Sequence, residues 1–437
     1  MTDSETSGNR EADRRSFMRR VFLASGATAF TAMGGAGALA FADDGTTTAS
    51  ATPTDGASPS PSASPTRAPG GGGPGAQTIT EDFYGLTTDG RQLDDLFTIH
   101  SQGVDTAPVV TAANAFLAGL TDTQKKATQF TVRSTEWRQW SNLDPGEFAR
   151  QGVSLADLTD AQNALGTALM TAALSADGLE TTEKIRRIND AAGKLVGKND
   201  NFNDELFYWT VMGTPSATEP WGFQFDGHHL VVNYFVLGGQ VVMSPCFWGS
   251  EPTSLDIDGE TVSVCQEEVG ASLAFIQSLT ETQRTTAIIS ATKADEDMKA
   301  GAFADNAVQA YAGIRATALT AAQKRKLLAV AEAFVNRAKA DVAKARMAEI
   351  HAHLDDTYAA WMGGTGDDDP FYMRVHSPVV WIEVDCQAAG PLGGAYGKTR
   401  ADGPSQMHVH SVIRTPNGND YGRELLRQHY LTSPHHR

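Results

Sequence analysis

Apolar residues recur along this chain in two rhythms, one helical and one alternating. Beyond residue 78 a short signature appears four times: Leu120-Thr121-Asp122-Thr123-Gln124, Leu158-Thr159-Asp160-Ala161-Gln162, Leu279-Thr280-Glu281-Thr282-Gln283 and Leu319-Thr320-Ala321-Ala322-Gln323. Each is a capping box. The Thr hydroxyl accepts from the amide three residues on, the Gln side chain reaches back, and the preceding Leu packs as a staple. Helices are therefore predicted to begin at about 121, 159, 280 and 320. The last is expected to run past Ala338, with a helical pattern continuing through 343–360 up to Trp361. The spacing of the boxes is irregular, so they read as punctuation rather than as units of a solenoid.

The alternating rhythm lies elsewhere. Residues 207–212 (FYWTVM) and 228–236 (HHLVVNYFV) read as strands, and 240–243 pairs with the second across Leu237-Gly238-Gly239 as a hairpin. Near the C-terminus 371–375, 379–385 and 407–413 are three more. The class is α+β: a single large domain in which a mixed or antiparallel sheet packs against many helices. The two strand blocks are expected to join one sheet and so bring their polar residues together.

The first fifth of the chain obeys neither rhythm. Asp13-Arg14-Arg15-Ser16-Phe17-Met18 followed by the Ala- and Gly-rich apolar stretch 21–41 matches a twin-arginine signal, with removal at Ala38-Leu39-Ala40 or Ala40-Phe41-Ala42. Residues 1–42 are thus read as a signal peptide. Residues 43–77, rich in Thr, Ser, Pro and Gly, have almost nothing to bury and read as a disordered tether. The globular unit is 78–437. This order implies handling by the twin-arginine machinery, no stable membrane insertion once the signal is removed, and a secreted or extracytoplasmic cell-surface location.

Composition narrows the partners. Hydrophobic residues make up 41% and charged residues 20%, enough for a sizeable core, and the formal net charge is −17 with no basic block after the signal. Nucleic acid and anionic membrane both need a positive footprint, so neither is expected. Three cysteines, Cys246, Cys265 and Cys386, leave two readings open, one Cys246–Cys265 bridge or three buried thiols.

The candidate chemistry sits on the strands. His408 and His410 are two apart on a strand, so both imidazoles point to one face, a common way to offer a metal two nitrogens. A third ligand is sought in His228 or His229, which point to opposite faces, or in Glu383 and Asp385, which share a strand face. Val380, Ile382 and Val384 mark the opposite face as the core side, leaving Glu383 and Asp385 on a solvent face or in a cleft. His351 and His353 fall on different helix faces and read as structural; His435 and His436 lie in the tail. Cys386 has apolar flanks and reads as core rather than as a nucleophile. Arg414 and Asp420 lie close to His410 on a loop, placed to bind an anionic substrate group; Asp420 reads equally as a helix cap. No Gly-x-Ser-x-Gly elbow, Walker loop or HExxH occurs.

Several segments together resemble a known family. They are Pro220-Trp221-Gly222-Phe223-Gln224-Phe225-Asp226-Gly227-His228-His229-Leu230, Trp381-Ile382-Glu383, His408-Val409-His410-Ser411-Val412-Ile413-Arg414 and Asn419-Asp420-Tyr421-Gly422. The family is bacterial and fungal and is catalogued as a domain of unknown function, number three thousand five hundred. The resemblance spans nearly the whole globular unit. It implies one family domain with the histidines acting as a unit, and it brings no substrate.

The expectation is an exported metal-dependent enzyme of hydrolytic type. Zinc, iron or copper would sit on His408, His410 and one of His228 and His229, with Glu383 as fourth ligand or general base and Arg414 orienting a small-molecule or saccharide substrate. Iron or copper on the same ligands would make it a redox enzyme. The competing expectation is a binding module without catalysis, using Trp209, Trp221, Phe223, Trp248, Trp361 and Trp381 as a ligand platform.

Overall fold

The computed structural model of the chain describes Ile79 and residues 81–434; the signal, the tether and His435 and His436 lie outside the described residues. Its centre is a thirteen-stranded mixed sheet. Ten strands form the main path: β1 (Gln129–Phe130), β2 (Phe207–Met212), β3 (Trp221–Gly227), β4 (Leu230–Leu237), β5 (Cys246–Ser250), β6 (Ile288–Ser290), β7 (Tyr358–Gly363), β8 (Phe371–His376), β9 (Trp381–Ala388) and β10 (Pro404–Arg414). Their order across the sheet is β1-β2-β3-β4-β5-β10-β9-β8-β7-β6. The two strand blocks expected to share a sheet do so, joined where β5 pairs with β10.

That order is the same from both ends, and the local detail agrees. β1 runs parallel to β2 and β6 parallel to β7. Short strands Val153–Ser154 and Ile314–Arg315 pair antiparallel to β2 and β7. Gly152 and Gly313 precede them with φ +89° and +82°, and a Cβ at either would collide with a carbonyl, that of Trp209 or of Ala359. Register then makes Asp226 equivalent to His376 and Asn233 to Glu383. The sheet is an internal duplication about a pseudo-twofold between β5 and β10.

The capping boxes belong to this duplication. All four are formed, at Thr121, Thr159, Thr280 and Thr320. They open α2 (Asp122–Thr128), α3 (Asp160–Ala173), α6 (Glu281–Ala287) and α7 (Ala321–Val335), with α1 (Ala107–Gly119) before them and α4 (Ala176–Leu195) and α5 (Gln266–Gln277) between the two pairs. Gln124 and Gln162 exchange a side-chain hydrogen bond (2.8 Å), as do Gln283 and Gln323 (2.8 Å). The irregular spacing thus hides two pairs, one per repeat. The helix expected over 343–360 is corrected: α8 (Ala340–Ala352) ends early, and 358–363 is β7, buried in the sheet. The last helix is α9 (Arg423–Thr432).

The sheet has two unlike faces. One carries Trp209, Phe223, Phe225, Val232, Trp248, Val384 and Ile413 into the main hydrophobic core beneath the helices. The other carries Gln224, Asp226, Asn233, Arg374, His376, Glu383, Asp385, His408, His410 and Arg414, all buried. Two long loops cover it, 131–152 from the first repeat and 291–313 from the second. They meet where Arg138 Nε donates to Asp305 Oδ2 at 2.7 Å. Burying so many polar groups is tolerable because most are paired. All three cysteines are free and buried, which settles the open alternatives. Among the described residues no helix is long and apolar enough to cross a membrane.

Candidate metal centre

Two neighbouring elements bring three histidines together. On β10 the two-residue period puts His408 and His410 on the polar face, and their Nε2 atoms are 3.0 Å apart. The third is His229, in the tight connection between β3 and β4. Its Nε2 lies 3.0 Å from His410 Nε2. Gly249 stands across from His410 in the β5–β10 register and leaves room for the ring. The three rings are 4%, 5% and 7% exposed. Among the described residues they form the only group of three or more potential metal ligands.

The protons decide what this cluster is for. His408 Nδ1 lies 2.8 Å from the Ala388 carbonyl, which can only accept. That nitrogen therefore carries the proton, and Nε2 turns a lone pair inward. Burial first, then the neighbouring imidazoles, hold His229 and His410 well below the usual histidine range, so the rings are neutral. His410 Nε2 can hold one proton, yet it faces two nitrogens at equal distance. One proton serves one neighbour; a cation at the centre serves all three. A tetrahedral ion with nitrogens at about 2.05 Å would space them by about 3.3 Å, a few tenths from the two distances to His410, and all three ligand atoms lie within 4.8 Å of one another. The donor set fits a divalent transition ion.

Around the cluster the supports are specific. The His228 ring stacks on His229 with centroids 3.8 Å apart, and its Nδ1 lies 2.7 Å from Asn189 Oδ1. His228 thus positions His229 and stands outside the triad. Glu251 lies 3.8 Å from His408 Nδ1, on the side away from the triad. It accepts from Gly390 N, Leu392 N and the Tyr396 hydroxyl, holding the segment after β9 against the ring. Asn189 and Glu251 had no sequence signal: one sits in a helix and the other after a strand, and neither shares a motif with the histidines.

Other expected site residues are placed elsewhere. Glu383 is neither exposed nor near the triad's nitrogens. Its oxygens accept from Lys299 N (2.7 Å), Ala300 N (2.9 Å), Tyr372 Oη (2.7 Å) and Trp381 Nε1 (2.8 Å). Four donors leave it no free lone pair for a metal or a substrate proton. Burial raises its carboxyl, and those donations hold the rise back. Asp385 takes Lys293 and the amides of Asp297 and Met298. Both carboxylates pin loop 291–313 to the sheet. Arg414 is fully buried between Asp420 (2.8 Å) and Asp305, and Asp420 also accepts from Thr415 N. This pair forms a buried network with Asp305 and the Thr415 amide. Trp209, Trp221, Phe223, Trp248, Trp361 and Trp381 are all buried, so they are core and not a ligand platform.

Among known families, a family model described as "Protein of unknown function (DUF3500)" matches residues 102–423. No curated protein matches the chain, and no solved structure does.

Proposed function

The chain belongs to the DUF3500 family, and from the geometry of its centre we propose an exported metal-dependent enzyme of hydrolytic type, its ion held by His229, His408 and His410. The observation that carries this is the convergence of three imidazole Nε2 atoms with no fourth His, Cys, Asp or Glu donor in the group among the described residues. Structural zinc sites close with four protein ligands, whereas catalytic ones keep a position open. An ion on three neutral donors retains its full charge, which suits it to act as a Lewis acid and to acidify water. Ligands more than nine-tenths buried favour a small-molecule substrate over a polymer.

The same burial favours one second reading, a structural ion that ties the β3–β4 turn to β10. The two readings part on turnover. Metal-loaded protein should hydrolyse members of a panel of small esters, amides and lactones, and chelation or His408→Ala should abolish the activity. Metal-loaded protein inert across the panel, or turnover indifferent to both treatments, defeats the enzymatic reading. Export is tested separately: Arg14→Lys with Arg15→Lys should hold the protein inside the cell, and unchanged export contradicts the twin-arginine route.

A further inference from the structure

The polar face holds a second cluster whose chemistry is unfinished. On β8, Arg374 and His376 are two residues apart and share a face. Arg374 is 5% exposed, and among the described residues no carboxylate comes within ion-pair distance of it. Its hydrogen bonding amounts to one long donation, Nη2 to Ala310 O at 3.5 Å, and Nε has no partner. The guanidinium lies 5.0 Å over the Trp381 ring. Glu383, its partner across the β8–β9 register, is consumed by the four donors described above. His376 is 1% exposed, and neither ring nitrogen has a partner. Tyr311 covers one side of the ring (4.4 Å) and Trp381 approaches it edge-on (4.6 Å).

A buried cation without a counter-charge costs several kcal/mol, and buried polar atoms without partners are rare. Two such residues on one strand face mark a missing acceptor. The duplication sharpens the point. In the first repeat the position of His376 is held by Asp226, which meets Arg150 Nε at 3.1 Å. Arg150 precedes Val153 as Tyr311 precedes Ile314 in the second repeat. One repeat completes its own ion pair. In the other, His376 and Tyr311 hold those two positions, Tyr311 on a strap, 307–313, in which Val308 is 54% exposed, and the cation is Arg374, where the first repeat has the neutral Gln224.

We propose that Arg374 and His376 form a binding site for a small oxyanion, a carboxylate or a phosphate group, admitted beneath the 307–313 strap. The guanidinium fork is matched to either group, and the neutral imidazole adds one N–H. The site is separate from the histidine triad, since β9 with its occupied Glu383 lies between β8 and β10, and it does not depend on the metal reading.

The test melts the full chain in buffer free of both anions, then adds inorganic phosphate or acetate at constant ionic strength. At least one should raise Tm saturably, and the one that saturates at lower concentration gives the class. Arg374→Met should abolish the rise without lowering Tm in anion-free buffer, because it replaces an unpaired buried cation with an apolar chain. Arg374→Lys keeps the charge and loses the fork, and should weaken binding about tenfold; it serves if the Met variant does not fold. His408→Ala should retain the response. No saturable rise in wild type, an undiminished one in both Arg374 variants, or one lost only with His408 overturns the proposal.

Discussion

His229 sits at φ +60°, a left-handed conformation that a β-carbon disfavours. Hairpin turns usually fill such positions with Asn or Gly. Histidine here carries a local cost of about 1 kcal/mol, which its inward Nε2 accounts for. His229→Gly should therefore lose the metal yet be about 1 kcal/mol more stable than His229→Ala, read by chemical denaturation. Glu383→Gln should behave in the opposite way. It leaves metal content intact and destabilises by about 2–3 kcal/mol, because an amide cannot accept from four donors with both atoms. Glu136 and Asp226 set a pH dependence. Burial, then mutual repulsion, raises Glu136 to about 7, and burial raises Asp226 to about 7. With folded values above unfolded ones, their stabilising contribution is full below about pH 4 and is lost as pH rises to about 7. Glu136→Gln should stabilise at pH 8 by about 1–3 kcal/mol and gain nothing at pH 4, measured as Tm across pH. The paired orientation of His408 and His410 was legible because a strand's period alone fixes it. The fate of Glu383 was not: its face could be read, but the amides of Lys299 and Ala300 that cover it arrive from a loop no local pattern places.

The helices show how a local signal can carry more than it first declares. All four capping boxes form where the sequence puts them, since a cap is decided within four residues. Their pairing is tertiary, made by glutamine amides that cap one helix and clasp the next. Gln124→Ala with Gln162→Ala should be non-additive by about 0.5–1 kcal/mol in a double-mutant cycle, whereas Gln124→Ala with Gln323→Ala should be additive. Hairpin β4 with Gln240–Val242 was readable from its Gly238-Gly239 turn. Strands β3 and β5 were not read as strands, because both are interrupted by glycine, Gly222 and Gly249, that a propensity argument discounts. β7 was taken for helix because Ala359-Ala360 favours helix in isolation; its pairing between β8 and β6, with Ala359, Ala360 and Trp361 buried, overrides that preference.

At the scale of the whole molecule, duplication explains why the centre is where it is. His229 comes from the first repeat and His408 and His410 from the second, across the pseudo-twofold. Register places Val379 where the second repeat would carry its counterpart of His229, so the site exists once. An ion there ties the repeats together, and its removal should lower Tm of the whole unit and be reversed by adding the metal back. The direct test of this account is elemental analysis of untagged protein recovered after export, beside His408→Ala, His410→Ala and Glu383→Gln. About one equivalent of a single divalent transition metal is expected in wild type and Glu383→Gln, and background in the two histidine variants with folded circular-dichroism spectra. Metal-free wild type that gains no stability from added zinc, iron or copper, or metal retained in both histidine variants, would contradict it.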